Sequence, residues 1–143
     1  MIQVRLAQSR EDVDTCLRLR WTVFVEEQGV RPSEEIDVHD RGDAVHVLAL
    51  EKDVPAGAAR YIFPEPGVAK LQRMAVIDDV RKLGVGRALL VFLEGEARRR
   101  GARSFTLWAQ THARAYYEKH GYAAIGGEFD DAGSPHLRMD KQA

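Results

Sequence analysis

The chain has 143 residues, 45% of them hydrophobic and 30% charged, with a formal net charge of −1. That length fits one domain, residues 1–143, with a proper core, and the near-neutral balance excludes the basic excess of a nucleic-acid binder. A lone cysteine, Cys16, excludes an internal disulfide framework and points to a reducing, cytoplasmic setting, and no apolar run approaches the roughly 18 residues of a membrane helix.

Residues 2–7 alternate Ile2, Val4 and Leu6 with polar residues, the period of a half-buried strand. Ser9 and Asp12 read as a helix N-cap region. The helix that follows is expected to bury Val13, Leu17, Trp21 and Phe24 on one face, with Cys16 a small apolar residue within it. Gly29 and Pro32 end it. Residues 26–43 carry Glu26, Glu27, Glu34, Glu35, Asp37, Asp40 and Asp43 against few cations, and are expected to form a loop with a short helix. Such a stretch suits a cationic acceptor by charge complementarity; a solvated acidic loop is the alternative. Asp37, His39 and Asp40 lack a regular metal-ligand spacing, so no metal is expected.

Residues 45–51, 56–63 and 69–76 read as a meander of three strands. A helix then opens after residues 81–86, with Val85, Leu89, Leu93 and Ala97 as its buried stripe. Arg98, Arg99 and Arg100 sit at its negative dipole end, and Gly101 stops it. Residues 104–109 predict a strand and residues 113–120 a short helix. Residues 122–125 and 136–140 predict the last strands, joined by a polar connection. This order predicts a mixed α/β sheet, with a parallel pair where a helix crosses between strands.

The segment Arg81-Lys82-Leu83-Gly84-Val85-Gly86-Arg87 follows an apolar strand and opens the strongest helix. Gly84 and Gly86 remove side chains where a ligand can approach the backbone. The first N–H groups of a helix lack partners within it, and its dipole favours an anion there. Arg81, Lys82 and Arg87 add positive charge. The spacing fits neither a P-loop, since Arg87-Ala88 follows Gly86, nor a dinucleotide fingerprint, since Leu89 stands where a small residue is needed. A glycine-rich helix entry without a ligand is the alternative reading at this point.

Arg81-x-x-Gly84-x-Gly86 resembles the coenzyme A signature of the GNAT N-acetyltransferases. Residues 113–122, with Tyr116-Tyr117 and Gly121-Tyr122, resemble that family's segment after the fifth strand. Residues 20–28 with Glu35, Ile36, Asp37 and Asp40, and residues 109–113 with Pro135-His136, are similar to its ElaA/YjcF-like branch. The resemblance covers nearly the whole chain.

It implies a GNAT acyl-CoA N-acyltransferase fold, a mostly antiparallel central sheet flanked by helices. Acetyl-CoA would enter between the fourth and fifth strands. Its pantetheine would lie along Met74, Ala75 and Val76, with its pyrophosphate on Arg81, Lys82, Leu83, Gly84, Val85 and Gly86, assisted by Arg87. The implied activity is N-acetyl transfer to a primary amine, a small molecule or peptide, in a ternary complex. Tyr117 is implied as the group that stabilises the leaving thiolate. Glu27, Glu35, Asp37, Arg73 and His136 are the acceptor-side candidates. Many relatives place a basic glutamate on the fourth strand, but Lys70-Leu71-Gln72-Arg73 offers none. Glu27, Glu35, Asp37, His112, His136 or a water chain are left to take the proton. Neither nucleic acid nor membrane is an expected partner, and a homodimer is consistent with the family. A non-catalytic acyl-CoA sensor or interaction module on the same scaffold is the alternative.

Overall fold

A computed structural model describes residues 1–143, apart from the side chain of Arg41. Strand β1 (Ile2–Leu6) leads to helix α1 (Arg10–Arg20), which runs on as a π-helical segment, Trp21–Glu27. A one-turn helix α2 (Pro32–Glu35) and a 3-10 turn (Val38–Arg41) follow. Next come β2 (Val45–Glu51), β3 (Val54–Glu65) and β4 (Val68–Val76), then a 3-10 turn (Asp78–Leu83) and helix α3 (Val85–Arg99). The chain ends with β5 (Ser104–Gln110), helix α4 (Arg114–Lys119), β6 (Ala123–Asp131) and β7 (Ser134–Gln142).

The seven strands form one sheet in the order β1-β2-β3-β4-β5-β7-β6. Every neighbouring pair is antiparallel except β4–β5, the pair that α3 connects, which is parallel. A helical crossover returns the chain to the same end of the sheet, so the two strands it joins must run the same way.

The predicted stripe of α3 is the centre of the main core: Val85, Leu89, Leu93 and Ala97 are all 0% exposed. They pack on Ala69, Leu71, Phe105 and Leu107 from one face of β4 and β5. Gly57 on β3 permits this approach, because a Cβ there would lie 2.9 Å from the Ala75 carbonyl oxygen and 3.0 Å from Val85.

Helix α1 covers the opposite face and begins as expected, with the Ser9 hydroxyl accepting a hydrogen bond from Asp12 N–H at 3.0 Å. Its buried stripe differs from the predicted one. Cys16, Leu19, Arg20 and Val23 are buried, while Trp21 is exposed. The helix rotates by about one residue because Arg20 is drawn inward by two carboxylates, which no apolar pattern registers. The Cys16 thiol is pushed up to about 12 by burial, which suits a core residue and not a nucleophile. The last strands also differ: β6 and β7 form one long hairpin that absorbs the expected polar connection, with a register shift between Ile125 and Phe129. Gly126 and Gly127 obscure the strand there, while the backbone pairs on either side of the bulge.

Candidate active site

Strands β4 and β5 pair only from Val68↔Ser104 to Leu71↔Leu107. Beyond those rungs they diverge, so the β5-facing edge of residues 72–76 has no strand partner. Arg73 lies at the point of divergence with φ +56, and the β3–β4 register shifts beside it. A positive φ in a side chain of this size is uncommon, and it marks a bulge that turns the β4 backbone into the gap.

A cavity of 440 Å³ fills the gap. Its floor comes from Leu90 and Leu93 of α3, its sides from β4, β5 and the β6–β7 hairpin, and its outer wall from Phe24, Gln28 and Val30. Gln110 Nε2 donates to Gln28 Oε1 at 3.3 Å and ties β5 to that wall. Tyr117 of α4 enters the same cavity. Its ring is braced edge-on by Tyr116 and Tyr122, with centroids 5.2 Å and 5.9 Å away. Tyr122 is itself anchored, donating from its hydroxyl to Glu94 at 2.7 Å. Among the described residues the Tyr117 hydroxyl has no hydrogen-bond partner, and burial, with a smaller contribution from Tyr116, pushes its pKa up to about 12.

The loop before α3 takes the shape that its glycines suggested. Gly84 reverses the chain at φ +87, and a side chain there would meet nothing within 4 Å. The first amides of α3 are therefore open to a ligand, with Gly86 bordered by the Tyr116 hydroxyl. Arg81 does not point freely at this position. Its Nε donates to the Val76 carbonyl at 2.9 Å and its Nη1 to Glu27 at 2.6 Å. Glu27 thus holds the loop against the end of the π-helical segment. The hydrogen bond from Arg81 lowers its pKa and weakens it as a base. Lys82 and Arg87 are exposed beside the loop, as the sequence suggested.

The acidic stretch turns inward. Arg20, 0% exposed, donates to Glu35 at 2.8 Å and to Asp40 at 2.6 Å. Arg60, equally buried, donates to Asp40 at 2.6 Å and to Asp37 at 2.7 Å. Arg73 donates to the Glu35 carbonyl at 3.1 Å and approaches Asp37 at 3.4 Å. Three arginines therefore meet three carboxylates, and the negative charge read as suited to a cationic acceptor is largely met within the chain. Asp37 sits outside the cavity lining. Its pKa is lowered chiefly by the hydrogen bond from Arg60, against burial.

Of the acceptor-side candidates, Glu35, Arg73 and His136 line the cavity, whereas Glu27 and Asp37 do not, and neither does His112, a candidate for taking the proton. Met74 lines it too, while Ala75 and Val76 continue the open β4 edge toward the loop. His136 Nδ1 lies 2.9 Å from the Ser134 carbonyl oxygen, a contact that requires a proton on Nδ1 and leaves Nε2 as the acceptor in the neutral ring. Sequence reasoning missed Lys70, Gln72 and Trp108. The available signal was the alternation of β4 and β5, since Ala69 and Leu71 face α3 and therefore turn Lys70 and Gln72 to the other face. Among the described residues no cluster of His, Cys, Asp and Glu is placed to hold a metal, and no helix is long and apolar enough to cross a membrane.

A parallel pair that splays open, with a glycine-turned helix N-terminus beyond the gap, defines an acyl-CoA N-acyltransferase fold. Residues 9–143 match the acetyltransferase (GNAT) domain family, and the chain belongs to that family. It is 39% identical over 137 residues to the uncharacterized N-acetyltransferase YjcF of Bacillus subtilis, covering 95% of this chain and 96% of that one. The crystal structure of Escherichia coli ElaA superposes with a TM-score of 0.86 at 26% identity, covering 99% of this chain and all of the other. An acyl-CoA N-acyltransferase from Pseudomonas aeruginosa superposes with a TM-score of 0.84 at 26% identity, over 99% and 98% of the two chains. The protein is an acetyl-CoA-dependent N-acetyltransferase.

Proposed function

We propose that the protein moves the acetyl group directly to a primary amine within a ternary complex, without acylating a residue of its own. The observation that carries this reading is a cavity at the β4–β5 divergence that holds an unpartnered tyrosine hydroxyl and a buried histidine, with no cysteine in its lining. Cys16 is 0% exposed and lies on the far side of the sheet.

Acetyl-CoA supplies an activated thioester. The open edge of Met74, Ala75 and Val76 would hold the pantetheine as an added strand, and residues 81–87 would hold the pyrophosphate through backbone N–H groups at the α3 N-terminus. The β4 bulge at Arg73 offers main-chain N–H groups to the acetyl oxygen as it gains charge. An alkylamine, with pKa about 10.4, arrives protonated at neutral pH and must lose a proton to attack. His136 Nε2 is the best-placed group to accept it, directly or through water.

Tyr117 would donate a hydrogen bond to the departing sulfur. Complete proton transfer from a tyrosine at about 12 to a thiol near 8.5 is uphill by roughly 5 kcal/mol. Tyr117 therefore stabilises the thiolate by a strong hydrogen bond unless bound substrate first lowers its pKa. Steady-state release of free coenzyme A thiol tests this reading. Tyr117→Phe is expected to lower kcat by roughly 10² to 10⁴ while coenzyme affinity changes little. Unchanged turnover would remove Tyr117 from the mechanism.

A further inference from the structure

The wall of the cavity away from α3 holds an ammonium with no matching anion. Lys70 stands on the last paired rungs of β4, opposite Thr106 of β5, and lines the cavity while partly buried. Its Nζ lies 3.4 Å from the centre of the Trp108 ring. Among the described residues it makes no hydrogen bond, and no carboxylate comes within 4 Å of it. An aromatic face compensates only part of what an ammonium loses on leaving water, and burial accordingly lowers the Lys70 pKa.

The carboxylates around the cavity do not supply the missing charge. Glu34 is bound by Arg31 at 2.6 Å and Glu35 by Arg20 at 2.8 Å. Asp131, on the β6–β7 hairpin, is partly exposed and sits 3.8 Å from His136. It attracts Lys70 electrostatically without coming within 4 Å of its ammonium, and burial outweighs that attraction. A second lining residue has the complementary defect. Glu35 is 1% exposed and borders the cavity, yet its Oε2 has no hydrogen-bond partner among the described residues. The lining of one cavity therefore includes an ammonium without a close anion and a carboxylate oxygen without a hydrogen-bond partner.

We infer that the acceptor is an amine that also bears a carboxylate, an amino-acid-like zwitterion, with the carboxylate held by Lys70 over Trp108 and the amine directed toward Glu35 and His136. This rests on the acetyl-transfer reading of the same cavity. It predicts an acceptor unlike a polyamine, for which Lys70 would be a repulsive neighbour.

Matched amines that differ only by a carboxylate test it: L-phenylalanine against phenethylamine, and 4-aminobutyrate against propylamine, with spermidine as a polycation. In thiol-release assays the carboxylate-bearing member of at least one pair should show a kcat/KM at least tenfold higher. Lys70→Met should raise its KM by tenfold or more while leaving the decarboxylated partner within about twofold, and Lys70→Arg should restore most of the preference. Equal or better turnover of the decarboxylated amines or spermidine would overturn the inference and leave acetyl transfer standing. Indifference of the preference to Lys70→Met would also overturn it.

A second readout does not need turnover. In a Trp21→Phe background, Trp108 fluorescence is followed in the coenzyme-loaded protein during titration with N-acetyl-L-phenylalanine and with N-acetylphenethylamine. A saturable change with the carboxylate alone, abolished by Lys70→Met, supports the anion site even if no amine in the panel is acetylated, in which case direct transfer to the amines of this panel is the reading that fails. No saturable change in that titration, with no turnover of either member of a pair, overturns the inference.

Discussion

Asp40 receives hydrogen bonds from Arg20 and Arg60 at 2.6 Å each, and its own Oδ2 caps the Asp37 N–H at 3.0 Å. Burial on its own would raise its pKa. The hydrogen bonds and charge of Arg20, the Asp37 N–H and the charge of Arg60 outweigh that and hold it far below the usual carboxylate range. The sign of the pH effect follows. A folded-state pKa below the unfolded value of about 3.9 contributes stability that is present above that value and lost as pH falls toward the folded pKa. Asp37 is depressed in the same direction. Thermal stability is therefore expected to change little between about pH 7 and 5 on account of these groups and to fall steeply below about 4. Asp40→Asn keeps the shape but removes the negative charge that two buried guanidinium groups share, and should cost about 3–5 kcal/mol at neutral pH while flattening the acid limb. Denaturant unfolding across pH measures both, and an Asp40→Asn protein with wild-type stability would refute this account of the acidic stretch.

At the level of elements, the position of α3 against β3 and β4 sets the distance between the helix N-terminus and the open β4 edge. Gly57 is the contact that allows it. Gly57→Val would press on the Ala75 carbonyl, Val85 and Leu89 at once, and overpacking of this kind costs about 1–3 kcal/mol. Because Val85 and Ala75 belong to the elements proposed to hold the coenzyme, the same variant should weaken acetyl-CoA binding as well as lower Tm. A drop in Tm with wild-type affinity would show that loop and strand move together.

The elements whose contacts are regular were legible in the sequence. The α3 stripe, the meander and the parallel crossover each follow from a period or an element order carried by adjacent residues. What escaped depends on distant partners. Arg20 is buried because of Glu35 and Asp40, and that pairing rotates α1 away from its apolar stripe. The positive φ at Arg73 has no local signature, since neither glycine nor asparagine marks it. The start of β6 was legible, but its continuation past Ile125 was hidden by Gly126 and Gly127, which disfavour a strand on propensity but are accommodated at a bulge. In the site, motifs singled out Tyr117, which the structure places in the cavity lining, and the glycine loop proposed to hold the pyrophosphate, whereas Lys70 became visible only once the sheet placed it over Trp108.

For the whole molecule, the two faces of the sheet divide the work. The α3 and α4 face supplies the apolar core, the glycine loop proposed to hold the pyrophosphate, and Tyr117. The α1 and α2 face carries the buried ion pairs and the polar wall of the cavity, and the Glu27–Arg81 pair joins the two sides across 54 residues of sequence. The reaction is assigned to the gap between them, where β4 and β5 part. Calorimetric titration of acetyl-CoA into ligand-stripped protein tests that claim most directly. Saturable one-to-one binding, weakened at least tenfold by Gly84→Trp in a protein that circular dichroism shows to be folded, is the predicted result. A folded wild-type protein that binds no acetyl-CoA would contradict it.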